Sequence, residues 1–228
     1  MTLSLRSAAL VAGLSLIAMA AVAGFGYGYA FERLYVAGDA AATLARVQSE
    51  QLLFRLAIAS FVVILILDAL VAWALWYFFK PTSEALALLA AWLRLLYAAL
   101  LGGAISWLSA AGLALRGASP DALVVAGNLE MFLEVWSWGL IVFGCHLLAL
   151  GYIAYASGIV PKIIAALTLL AAVCYIGANL AQTLLLNYNE YKNSVDAVLG
   201  LPMALGELAL AVWLIAKGGV ERASQKTA

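Results

Sequence analysis

The chain has 228 residues, of which 67% are hydrophobic and 11% charged, with 12 Lys plus Arg balanced by 12 Asp plus Glu. A soluble domain is about 45–50% apolar and 25% charged, so this composition belongs to a membrane domain. The even charge excludes a nucleic-acid surface or a polybasic lipid anchor, and Cys145 and Cys174, both inside apolar stretches, read as small hydrophobes.

At the N-terminus, Arg6, a short apolar run and Ala18-Met19-Ala20 imitate a secretory signal with its small-residue cleavage site. The uncharged stretch nevertheless continues from Ser7 to Phe31. It is longer than a signal core and long enough to cross about 30 Å of hydrocarbon, so a retained first span over 7–31 is expected. Within it Ala20, Gly24 and Gly28 recur every four residues, a spacing expected to admit a neighbouring backbone. The charged segment 32–50 contains Gly38-Asp39 before an Ala-rich run, which predicts a capped helix at the interface or an outward extension of the next span.

The second span is read over 51–79, ending at Lys80-Pro81, and Thr82-Ser83-Glu84 caps a third over 84–115. Ser119-Pro120-Asp121 is expected to supply N-cap, first-turn proline and first-turn acid to a fourth span over 123–156. That apolar run exceeds one crossing, so a tilt or an interfacial preamble is expected. Gly158 and Pro161 separate it from a fifth span over 161–186, Leu186 to Ser194 read as a polar loop, and a sixth span covers 195–217 with Pro202 as a kink. The fold class is therefore all-α: a polytopic integral membrane protein, a six-helix bundle with residues 1–228 in a single membrane domain. An inside N-terminus gathers Arg6, Lys80, Lys162, Lys217, Arg222 and Lys226 against Arg33, Arg46, Arg116 and Lys192, which assigns both termini to the cytoplasm and the chain to a plasma membrane.

Ionisable residues deep in such spans need partners, because a charge at the bilayer centre costs at least about 2.5–3.5 kcal/mol. A rise of about 1.5 Å per residue puts Asp68, Arg94 and Glu207 near the midplane. Arg94 is always charged, so it is expected to contact Asp68, Glu207 or both. A second set lies toward the opposite end: Arg55, Glu130 and Glu134, and the stripe Tyr175, Asn179, Gln182 at i, i+4, i+7. Together they sketch a vestibule ending at the midplane. His146, the only histidine, lacks the i+3 or i+4 partner of a metal site and is expected to be a satisfied intramembrane histidine. The Trp residues are expected to be interfacial or lipid-facing anchors.

No catalytic, phosphate-binding, metal or cofactor motif is present, and nothing in the sequence specifies an oligomer. Three readings stay open. The cluster binds a small solute, ion or lipid; its ion pairs only fix helix register in a structural or partner subunit; or paired carboxylates serve an intramembrane enzyme. The expected partner in every case is the lipid bilayer.

Several segments carry a resemblance: Ala37 to Val47 (AGDAAATLARV), Leu53 to Ser60 (LFRLAIAS), Leu86 to Leu100 (LALLAAWLRLLYAAL), Phe143 to Ile176, and Gly206 to Gly218 (GELALAVWLIAKG). In this order they resemble domain of unknown function family 4386, a group of prokaryotic polytopic membrane proteins. The matching positions include Arg55, Arg94, His146, Gly151, Pro161 and Glu207. The resemblance implies the architecture and a retained first span, and it implies no activity. The chain departs from the pattern after Tyr175, where Ala178 and Asn179 stand in place of an acidic residue.

Overall fold

The computed structural model describes residues 4–117, 119–185 and 187–220. Leu186, expected to end the fifth span, and Arg222 and Lys226, counted toward orientation, lie outside them. Among the described residues there are seven helices and no strand: α1 Leu5–Leu34, α2 Ala40–Ser49, α3 Gln51–Phe79, α4 Glu84–Ala114, α5 Ala122–Ser157, α6 Lys162–Leu184 and α7 Tyr188–Ala216. Six are long and apolar enough to cross a membrane, and α2 is the short capped helix, its N-terminus closed by Asp39 Oδ1 accepting from the Ala42 N–H at 2.9 Å. The protein is an integral membrane protein.

Helix boundaries follow local chemistry, with two differences from expectation. Asp121, not Ser119, caps α5, accepting from the Leu123 N–H at 2.8 Å, so the helix begins after Pro120 rather than on it. The expected loop before the last span is largely helical from Tyr188 onward, since its polar residues include no Gly or Pro to stop a helix that extends beyond the hydrocarbon, and the helix continues through Pro202. α5 is one unbroken helix of 36 residues.

Inside α1, residues Gly24–Phe31 form a π-helical segment. The close approach expected at Ala20, Gly24 and Gly28 is not made there. These three are exposed, and a Cβ at Gly24 or Gly28 would meet nothing within 4 Å. Gly26 makes the close approach instead, 2.6 Å from that Cβ position to Ser60 Cβ of α3.

The six long helices form a closed ring in which α1 packs on α3, α3 on α4, α4 on α5, α5 on α6, α6 on α7, and α7 back on α1, while α2 lies on α5. The described chain ends, at Leu5 and Gly219, meet at one end of the bundle; the other end carries α2 and the α4–α5 and α6–α7 connections. In the termini half, all six helices share one core that includes Ala12, Phe78, Leu147, Ala171 and Leu214. In the loop half the core, with Phe54, Phe61, Leu101 and Phe132, draws on α1 to α5 but on neither α6 nor α7. Those two helices separate from the rest as they approach the loop end, and the space they leave holds the candidate site.

Candidate functional site

Arg94 stands at the centre of the ring, fully buried, as is Asp68. Its Nε and Nη2 both donate to Asp68 Oδ1, at 2.9 and 2.8 Å. Nη1 reaches Glu207 Oε1 at 3.4 Å and His146 Nε2 at 3.2 Å, Nη2 meets Met19 Sδ at 3.6 Å, and the guanidinium lies 5.2 Å from the Phe143 ring centroid. Four of the expected residues, from four helices, thus converge, and Arg94 meets both acids.

The hydrogen-bond directions define the histidine. His146 Nδ1 lies 2.8 Å from the Ala90 carbonyl, which only accepts, so Nδ1 carries the proton. Nε2 faces a guanidinium, which only donates, so it presents its lone pair and the ring is uncharged. Asp68, His146 and Glu207 are directed at a guanidinium where a metal site would hold an ion. With both carboxylates ionised, the cluster carries one surplus negative charge.

On its loop side the cluster faces a cavity of about 280 Å³ lined from all six spanning helices, including Met19, Phe61, Asp68, Tyr97, Trp136, Phe143, Tyr175, Ala204 and Glu207. Arg94 is not on its wall. Asp68 Oδ2 is buried and has no hydrogen-bond partner among the described residues. Trp136, Leu140, Tyr175 and Ala204 are shared with a second cavity of about 460 Å³ between α1, α5, α6 and α7, which reaches the loop end at Glu32, Gln182 and Tyr188. Its wall includes Ser137, whose buried Oγ likewise has no partner among the described residues. Toward the termini the cluster is sealed: beside His146 only about 10 Å³ remains, at the lower limit for one water molecule.

The second expected set divides. Tyr175, Asn179 and Gln182 do form an inward stripe along the outer cavity, with Asn179 Nδ2 also donating to the Tyr175 carbonyl at 2.8 Å. Arg55, Glu130 and Glu134 do not join it. Arg55 is exposed in a separate groove with Arg116. Glu130 is exposed and accepts from the Tyr35 hydroxyl at 3.3 Å; burial, then the Glu130 charge, pushes that phenol up to about 12. Glu134 accepts from Trp138 Nε1 at 3.3 Å within its own helix. Glu134, placed with the outer set, lines neither cavity and keeps its contact within α5.

The aromatic wall went unread. Trp136, expected at the lipid or the interface, packs its ring on Tyr27 at 4.9 Å and donates Nε1 to the Tyr97 hydroxyl at 3.2 Å. One signal was present in the sequence: Tyr97 lies three residues after Arg94, hence on the same helix face.

Comparison with known proteins agrees with this picture and assigns no chemistry to it. The model of a family described as a domain of unknown function (DUF4386) matches residues 11–218. An uncharacterized protein of Archaeoglobus fulgidus is 31% identical over 155 residues, which cover 68% of this chain and 79% of the archaeal protein. No solved structure matches the chain.

Proposed function

The chain belongs to the DUF4386 family, whose description names no activity, and from its own chemistry we propose that it is a solute-binding protein of a prokaryotic plasma membrane. The solute enters from the external face through the outer cavity and rests in the central one, against Asp68 and Glu207. The six-to-four distribution of Lys and Arg between the two ends supports cytoplasmic termini. Arg94 holds the carboxylates in place and is itself held by His146, and Asn179 and Gln182 give the approach a polar edge.

The observation that carries this reading is Asp68 Oδ2, a buried carboxylate oxygen on a cavity wall with no donor among the described residues. A buried ion pair kept only for register closes on itself, because an unsatisfied polar atom in low dielectric is destabilising. Here one oxygen is clamped by Arg94 and the other, buried beside the cavity, has no donor among the described residues. That space, at about 280 Å³, lies at the small end of ligand pockets, which suits a compact molecule.

Thiol accessibility tests the reading. In a Cys145→Ala, Cys174→Ala background, Ala204→Cys is expected to react in intact cells with membrane-impermeant thiol reagents, cationic or anionic, and Leu150→Cys in the sealed half to stay protected. Protection of Ala204→Cys against both reagents, in cells and in detergent, would leave the cluster a purely structural one.

A further inference from the structure

We infer that the solute of the central cavity is a compact organic cation, an alkylammonium whose positive head lies against Asp68 and Glu207 and whose carbon body lies against the surrounding aromatic rings. The inference deepens the solute-binding reading and rests on it.

Charge bookkeeping gives the sign. The buried cluster holds one guanidinium, two carboxylates and a neutral imidazole, with distances that leave Arg94 engaged on all three of its nitrogens. The charged groups lining the central cavity are Asp68 and Glu207, and the one lining the outer cavity is Glu32, among the described residues. Arg33, next to Glu32, is paired with Glu50 at 2.9 Å. Among the described residues, a molecule moving inward thus passes carboxylates and no lining cation, a path that concentrates positive charge and repels anions.

The walls distinguish organic from inorganic. A metal cation stripped of water asks for about six oxygen ligands. The lining offers few oxygens and many aromatic rings: Phe61, Tyr97, Trp136, Phe143 and Tyr175. Ring faces attract alkylammonium heads within about 6 Å, best at Trp. A neutral solute would leave the surplus charge uncompensated in a low-dielectric site.

Choline and its uncharged carbon isostere 3,3-dimethylbutan-1-ol test this as a matched pair. Binding to the purified full chain in detergent is read by calorimetry, with ammonium, tetramethylammonium and tetraethylammonium chloride for size, and sodium chloride and sodium pivalate as controls. Saturable binding of choline or tetramethylammonium is expected, about tenfold or more tighter than the isostere. Glu207→Gln is expected to erase that preference, and Trp136→Leu to weaken the ammonium about fivefold while Trp136→Phe retains most of it. Monodispersity and the unfolding transition of each variant separate lost binding from lost folding, and the Phe and Leu pair remains informative if Glu207→Gln does not fold. Equal binding of the isostere, which a proton resident on Glu207 would produce, overturns the inference. So does tighter binding of pivalate, displacement by equimolar sodium, or failure of every ammonium in the series. If Ala204→Cys still reacts with the thiol reagents under any of those outcomes, the solute class is wrong and the binding site stands; if it is protected, both fall.

Discussion

The termini half and the loop half of the bundle use the same apolar residue types and pack them differently. Toward the termini, α1 and α7 meet at glycine: a Cβ at Gly13 would stand 2.7 Å from Ile215 Cγ1, and one at Gly218 2.6 Å from Ala9 Cβ. Arg6 locks this contact by donating to the Leu214, Ile215 and Gly218 carbonyls at the end of α7. Toward the loops the wall between the same two helices is made of larger rings and contains the cavities. Hydrocarbon is as apolar as any leucine, so helices adhere in a membrane through close fit and hydrogen bonds. Where small residues let backbones meet, the ring closes; where Tyr27, Trp136 and Tyr175 stand between helices, it stays open. The Arg94 cluster sits at the junction.

Removing that junction has the largest expected effect. Arg94→Leu leaves Asp68 buried and unpaired, and loss of one partner from a buried pair costs about 3–5 kcal/mol. Denaturant titration of the purified protein in micelles measures it. Replacing Asp68 and Glu207 by Leu in the same chain is expected to restore most of the loss, because the uncompensated charge, not the missing attraction, is what destabilises. A wild-type transition for the single variant would show that the junction clamps nothing and that the two halves hold together without it.

How much of this was legible before the structure depended on what each inference needed. Six spans required only long apolar runs, a property of the chain itself. The meeting of Arg94 with Asp68 and Glu207 required equal depth, which a fixed rise per residue supplies when a helix starts near the membrane boundary. Depth does not say which way a side chain turns, and Glu134, in the outer set, turns to Trp138 of its own helix. The acceptor role of His146 depends on the rotation of α5 against α4 about their own axes, and one sequence carries no measure of it. The aromatic wall was hidden for a related reason: a Trp facing lipid and a Trp facing a cavity occupy equally apolar sequence.

A pair of substitutions two residues apart on α7 sharpens the contrast between close fit and open space. A Cβ at Gly206 would lie 2.6 Å from Ala171 Cβ and 2.8 Å from the Leu167 carbonyl of α6. Gly206→Leu must therefore push α6 away, and overpacking of this kind costs about 1–3 kcal/mol. Ala204 lines both cavities, so Ala204→Leu adds an isopropyl group to free space and is expected to leave the transition within about 0.5 kcal/mol while obstructing the passage to Asp68. Equal losses for the two variants would mean that the cavities close in the membrane-embedded protein.

The smallest effect is expected at the glycines of α1 in the loop half, and there the prediction is one of tolerance. Gly24 has ordinary helical angles, φ −57° and ψ −41°, and the positive-φ glycines are Gly38, Gly158 and Gly219, so an alanine at Gly24 or Gly28 meets neither strain nor a neighbour within 4 Å. Gly24→Ala and Gly28→Ala are expected to be neutral or to stabilise by about 0.4–1 kcal/mol, through the reduced freedom of the unfolded chain. Gly26→Ala, between them, places a Cβ 2.6 Å from Ser60 Cβ and is expected to destabilise. Close packing on the face of Gly24 and Gly28 would give the reverse result, with that pair sensitive and Gly26 free. The three transitions, measured side by side, therefore report which face of α1 meets α3. A loss of more than about 1 kcal/mol at Gly24 or Gly28 would mean that another surface lies against this face.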